Sequence, residues 1–385
     1  MDTIAQIQNC CGCRACEQVC PKKCITFVTD SEGFYIPSVN ESECVNCGKC
    51  IKTCAQKGYH QLRAVRETYA ALHNNHDILM DSTSGGGMTS IAEIILNHEG
   101  IVYGAFLDKS DWKVKFTGIE DIASLHKLRG SKYVQSDTGN VYAEIKKQLN
   151  LSRDVLFIGV PCQVAGLYSF LGNNNTEHLL TIDILCHGTP SPELFIKHVN
   201  YLERKYHKKL TGFSFRDKTK FPNKTALRYE FGNKKLYVLG RCEYYFNAFI
   251  SGSAYRMCCY DCQYATSKRV GDITLGDYWG IRKFHPDFDN SCGVSLMLVN
   301  SEKGEKFLNS ANLKLLKSDI EKASVGNGIL KGPSQMAKCR KWFYQDVNTI
   351  GYEAALKKNI KIKNIFYNWI LTHLPSGIIK FLSKI

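Results

Sequence analysis

Two short runs without polar interruption, Ile101-Val102-Tyr103-Gly104-Ala105-Phe106 and Val155-Leu156-Phe157-Ile158-Gly159-Val160, have the length and apolar content of buried strands. Segments 89–98, 140–150 and 163–171 instead repeat their apolar positions at helical spacing. Strands alternating with helices between residues 64 and 300 predict an α/β core. Between Thr225 and Gly240 two β-rich runs flank Gly232-Asn233-Lys234, a hairpin signal that predicts a small antiparallel insertion. From Glu353 onward lysines mix with Ile, Phe, Trp and Leu around a break at Pro375-Ser376-Gly377, which predicts one or two basic amphipathic helices. The first sixty residues follow neither period. They are cysteine-rich with short spacers, so a boundary falls near Lys57 to Arg63 and the chain divides into 1–62, 63–335 and 336–385.

A chain of 385 residues buries most of its apolar surface without covalent staples, so its eighteen cysteines are not needed as a disulfide framework. Their spacing points to metal. Cys10-x-x-Cys13-x-x-Cys16-x-x-x-Cys20-Pro21 recurs as Cys44-x-x-Cys47-x-x-Cys50-x-x-x-Cys54. Two-residue gaps let one loop wrap three thiolates around a cubane, while the fourth cysteine reaches the other cluster. This assigns Cys10, Cys13, Cys16 and Cys54 to one 4Fe-4S cluster, and Cys44, Cys47, Cys50 and Cys20 to a second. Paired Cys-x-x-Cys units also make zinc sites, but a zinc ribbon has no use for two sets of four with exchanged fourth ligands. Ala55 stands where proline commonly follows the last cysteine, and Cys11 is either a spectator or a replacement for Cys10.

Four further cysteines fall in the core region. Cys162 follows a predicted strand, Cys186 precedes His187-Gly188, and Cys259 and Cys262 form a Cys-x-x-Cys loop. Strand ends in an open α/β sheet meet along one edge, so these four thiols are candidates for a third 4Fe-4S cluster. Read blandly, Cys162 and Cys186 are small buried residues. Cys258 is an alternative to Cys259.

The N-terminus has no basic segment followed by an apolar stretch, and no window reaches the length of a spanning helix. A cytoplasmic protein is expected. The formal net charge of +14 suits acidic electron-transfer proteins, anionic cofactors or an anionic membrane leaflet, with no feature calling for nucleic acid. Phe366, Trp369, Ile370 and Leu374 among C-terminal lysines suit peripheral membrane contact, or a packed terminal helix.

Five motifs carry a resemblance: Ser82-Thr83-Ser84-Gly85-Gly86, Leu128 to Gln135, Gly159 to Leu167, Cys186 to Pro192, and Asp272 to Gly280. Together they resemble the beta subunits of the coenzyme F(420) hydrogenases and dehydrogenases, in the bacterial form with an N-terminal dicluster ferredoxin domain. The resemblance implies non-covalent FAD, a mixed α/β flavin-binding core and electron transfer between flavin and clusters, with a ferredoxin or reduced deazaflavin as donor. A small organic molecule, such as a surface-polysaccharide precursor, would be the substrate. The competing expectation is an electron-relay subunit without a substrate of its own.

Under the resemblance, backbone N–H groups of Ser84, Gly85, Gly86 and Gly87, ahead of the helix, would receive the flavin's pyrophosphate or polar ring edge. Arg129, Ser131, Lys132 and Gln135 would add donors; read alone, the first is a glycine turn and the second a solvated face. His187 and Asp277 are candidate proton donors, and Trp279 either stacks near the flavin or fills the core. Arg216-Asp217-Lys218 is an anion site or a surface ion-pair cluster.

Overall fold

Cysteine loops with no apolar period need a scaffold, and a hairpin supplies it. In the computed structural model, which describes residues 4, 7, 9–57, 61–172, 176–222, 224–288 and 291–363, β1 (Ile25–Thr29) pairs antiparallel with β2 (Tyr35–Val39). Short helices α1 (Ala15–Val19) and α2 (Lys49–Lys52) carry the last cysteines of each loop. Both begin at a left-handed residue, Arg14 and Gly48, so the chain reverses sharply between ligands.

The core sheet contains β3 (Glu67–His73), β4 (Ile101–Asp108), β5 (Lys113–Ile119), β6 (Val155–Gly159) and β7 (Leu179–Ile184). Three later strands, β11 (Ile273–Asp277), β12 (Ser295–Val299) and β13 (Leu313–Ser318), complete it. Its order is β13-β3-β12-β11-β7-β6-β4-β5. β4, β6, β7 and β11 run parallel and the outer pairs antiparallel. The strands read as apolar runs are interior strands covered on both faces, where continuous hydrophobicity is required. Helices α3 (His76–Asp81), α4 (Gly87–Asn97), α5 (Val141–Asn150) and α6 (Pro161–Leu171) connect them. The last three match the predicted segments within two residues.

The predicted insertion is a second sheet, where β8 (Gly212–Ser214) and β10 (Lys234–Leu239) flank β9 (Ala226–Phe231). It packs against α7 (Pro192–Tyr206) and α8 (Tyr244–Ile250) in an aromatic core with Phe195, Phe215, Tyr229 and Tyr245. The helices Arg340–Thr349 and Tyr352–Asn359 bury Phe343, Tyr344, Val347, Tyr352 and Leu356 in that same core. Within the described part of 336–385 the chain is thus a packed terminus; Phe366, Trp369, Ile370 and Leu374, on which the membrane expectation rests, lie outside the described residues. No described helix is long and apolar enough to cross a membrane.

The cysteine-rich segment is clamped onto the core. Thr138 donates to the Cys13 carbonyl at 3.0 Å, Gln263 to Ala55 at 2.9 Å, and Arg340 to both oxygens of Glu32 at 2.8 and 2.5 Å. Gly166 on α6 has no Cβ because one would stand 3.0 Å from Cys13 Sγ.

Candidate electron-transfer site

The thiols form three groups in a row. Cys20, Cys44, Cys47 and Cys50 line a cavity at the far end of the hairpin, with Cys47 exposed. Cys24, a residue the spacing gave no role, lines the same cavity with its sulfur 3.5 Å from that of Cys20. Cys10, Cys16 and Cys54 come together next, close enough for each thiolate to raise the pKa of another, and Cys13 abuts α6. This inner group faces the core. Backbone N–H groups of Gly12 and Gln56 point at Cys10 Sγ (3.3 Å) and Cys54 Sγ (3.4 Å), as donors to cluster sulfur do.

The third group lies at the carboxyl ends of β6 and β7. Cys162 enters on the first turn of α6, where Gln163 accepts from the Val160 N–H at 3.2 Å and donates to Ser136 Oγ at 2.9 Å. Cys186 follows β7. Cys259 and Cys262 come from the loop before β11, and all four line one cavity of about 680 Å³, open solvent included. Burial holds the Cys186 thiol well above its ordinary pKa and pushes Cys262 up to about 11, so metal must displace their protons to bind. Cys11 and Cys258 line the cavity too. Gly12, at φ +72°, turns the chain between Cys11, which lines this cavity, and Cys13, which is buried against α6. Cys11, read from the spacing as a spectator or a replacement for Cys10, interacts with both Cys13 and Cys162. Among the described residues no three His, Cys, Asp or Glu side chains lie close enough to hold a single metal ion; a cubane keeps its four thiolates further apart than one ion does.

Beyond this cavity the sheet edge is polar. His187 lines the cavity, and burial lowers its pKa against an opposing pull from Asp277. Asp277 is committed elsewhere, its carboxylate 2.5 Å from Arg216 Nη1, and the guanidinium lies 5.5 Å from the centre of the half-exposed Trp279 ring. Arg216-Asp217-Lys218 is therefore no surface cluster. Asp217 pairs with Arg228 at 2.7 Å, and Lys218 is 6% exposed and donates to the carbonyls of Leu79 (2.9 Å) and Ser84 (2.6 Å). Burial lowers the Lys218 pKa to about 8.

The glycine loop has a structural explanation of its own. A Cβ at Gly85 would lie 2.1 Å from the Ala71 carbonyl and 2.5 Å from the Ser295 nitrogen, and one at Gly87 3.0 Å from Met297 Cε, so these glycines let the loop press onto β3 and β12. Ser84 Oγ donates to the Val294 carbonyl at 2.7 Å. Two of the donors predicted beside the loop are there: Ser131 N–H meets Thr83 Oγ1 at 2.8 Å and Arg129 Nε meets Thr89 Oγ1 at 3.3 Å. Two are not. Lys132 folds back on the carbonyls of Leu128 and Arg129, at 2.9 and 3.0 Å, and burial lowers its pKa to about 7. Gln135 belongs to the thiol cavity and accepts from the Tyr35 N–H at 3.1 Å.

An exposed thiol group leading through a buried one into an α/β core defines an iron-sulfur electron-transfer protein. Residues 9–57 match the 4Fe-4S dicluster domain, and residues 152–322 match the C-terminal region of the coenzyme F(420) hydrogenase/dehydrogenase beta subunit. Over residues 152–322 the chain is thus similar to the coenzyme F(420) hydrogenase/dehydrogenase beta subunits, with a dicluster domain in front. No curated protein matches it. Among solved structures it is similar to a chain of the F(420)-reducing nickel-iron hydrogenase complex from Methanosarcina barkeri, in a xenon-derivatized form. Identity is 15% over 77% of this chain and 91% of that one, with a TM-score of 0.46.

Proposed function

We propose that this protein carries electrons from a ferredoxin-like partner at Cys44, Cys47 and Cys50 through its N-terminal clusters to a third 4Fe-4S cluster on Cys162, Cys186, Cys259 and Cys262. An FAD at the sheet edge would then serve an organic substrate. The observation that carries the reading is the row of thiols, which runs from exposed Cys47 to half-buried Cys186 and ends beside His187. A flavin supplies the exchange between one-electron clusters and two-electron organic chemistry. The residues that would hold it are the first-turn N–H groups of α4, Arg129, Ser131 and Lys218, which would form a cationic cradle for a pyrophosphate. His187 would hold or move a proton, since its ring faces the cavity, while Asp277 keeps Arg216 in place.

Iron and sulfide counts on anaerobically purified protein, with flavin extraction, test this. About 12 iron atoms with one flavin support the reading, and about 8 iron atoms without flavin remove its core part. The rival, a relay subunit docked on a larger dehydrogenase or hydrogenase, draws on exposed Trp279 and Val325, adjoining at the same edge where Gly326 packs on Trp279. Such a subunit would copurify with a larger partner and lack turnover alone.

A further inference from the structure

Arg256 stands where the first cysteine loop meets the core. Its side chain is 6% exposed, Nε donates to the Cys10 carbonyl at 2.5 Å and Nη1 to the Tyr35 carbonyl at 2.9 Å. The guanidinium lies 5.4 Å from the centre of the Phe34 ring, and the residue also lines the cavity of Cys162 and Cys186. Among the described residues no carboxylate pairs with it; Asp30 nearby accepts from the N–H groups of Glu32 and Phe34 instead. Gln135, 4% exposed, aims at the same point. Its carbonyl accepts from Tyr35, while Nε2 has no partner among the described residues and lies 2.1 Å from where a Cβ on Gly12 would be.

A guanidinium keeps its proton at any working pH, so a buried one with no carboxylate calls for another anion. Four thiolates around a cubane supply it, and the net negative charge grows by one on reduction. Burial alone disfavours that added charge and lowers a cluster's potential. An outer cluster beside exposed Cys47 would be hydrated and escape this penalty, whereas an inner one among buried Cys13, Cys16 and Cys54 would not. We propose that Arg256 is the counter-charge of the inner cluster on Cys10, Cys13, Cys16 and Cys54, holding its potential up so that electrons entering at the outer cluster pass inward. Gln135 Nε2 adds a dipole of the same sign. The proposal rests on the N-terminal cluster pair alone, independent of the third cluster and the flavin.

EPR-monitored redox titration of the full-length wild type, Arg256→Lys, Arg256→Gln and Gln135→Glu, purified without oxygen, tests it. The outer cluster is identified by the signal lost in Cys47→Ala. Arg256→Gln lowers the potential of the inner cluster and leaves the outer one in place, and Arg256→Lys restores it. Gln135→Glu, which keeps Arg256 and sets a negative charge at the same junction, lowers it too. Unchanged potentials in Arg256→Gln and Gln135→Glu, or an equal shift of both clusters, overturn the assignment. Failure of the underlying cluster reading looks different, because wild type itself would then lack iron.

Discussion

Arg269 and Asp183 form an ion pair of 2.8 Å in which both side chains are almost wholly buried, 1% and 0% exposed. The second carboxylate oxygen accepts from the N–H groups of Val270 and Gly271, while Arg269 Nη1 donates to the carbonyls of Tyr264 and Thr266. The pair thereby fixes the loop bearing Cys259 and Cys262 to the end of β7, next to Cys186.

Removing one partner leaves an uncompensated buried charge. Asp183→Asn is expected to destabilise the protein by about 3–5 kcal/mol and to lower iron content through the core thiols. Anaerobic thermal unfolding with iron analysis checks this, and a variant as stable as wild type would show that the loop has other anchors.

The inner cluster depends on a missing side chain. Gly166→Val places methyl groups against Cys13 Sγ, already 3.0 Å from an ideal Cβ, and Tyr142 Oη, 3.1 Å away. Expected are a loss of about 1–3 kcal/mol and of about four iron atoms, the outer cluster's EPR signal remaining. Full iron content would mean that α6 yields instead.

Cys11 shares a cavity with Cys162 without belonging to its proposed ligand set. Cys11→Ala should retain wild-type iron, and Cys162→Ala should lose about four atoms. The reverse pattern would move the ligand role to Cys11.

A pH effect on stability comes from the aromatic core. Burial pushes the Glu243 carboxyl, 3.5 Å from His198, up to about 7 from 4.5, and holds His198 down to about 3 from 6.5. The stability from protonated Glu243 is full below 4.5 and lost as pH rises to 7; that from neutral His198 is full above 6.5 and lost as pH falls toward 3. Between 4.5 and 6.5 the slopes oppose. Glu243→Gln keeps an acceptor for the Phe246 N–H but removes one slope, so its unfolding midpoint should fall with acid where that of wild type stays level. Parallel curves for the two would remove the assignment.

Sequence alone settled what is local. The 4Fe-4S dicluster domain was legible because a loop of fixed cysteine spacing can wrap only a small object, and β4, β6 and the hairpin of β9 and β10 because burial on two faces and a tight turn both mark the chain directly. The core thiols could be suspected, since strand ends in such a sheet meet at one edge. Tertiary structure decided which thiol group faces inward, that Cys11 and Cys162 share a cavity, and that Gln135 lines that cavity while Lys132 caps its own turn. It also exposed Arg256, whose importance lies in having no carboxylate paired with it among the described residues. A buried charge is defined by everything packed around it, and no spacing along the chain records that.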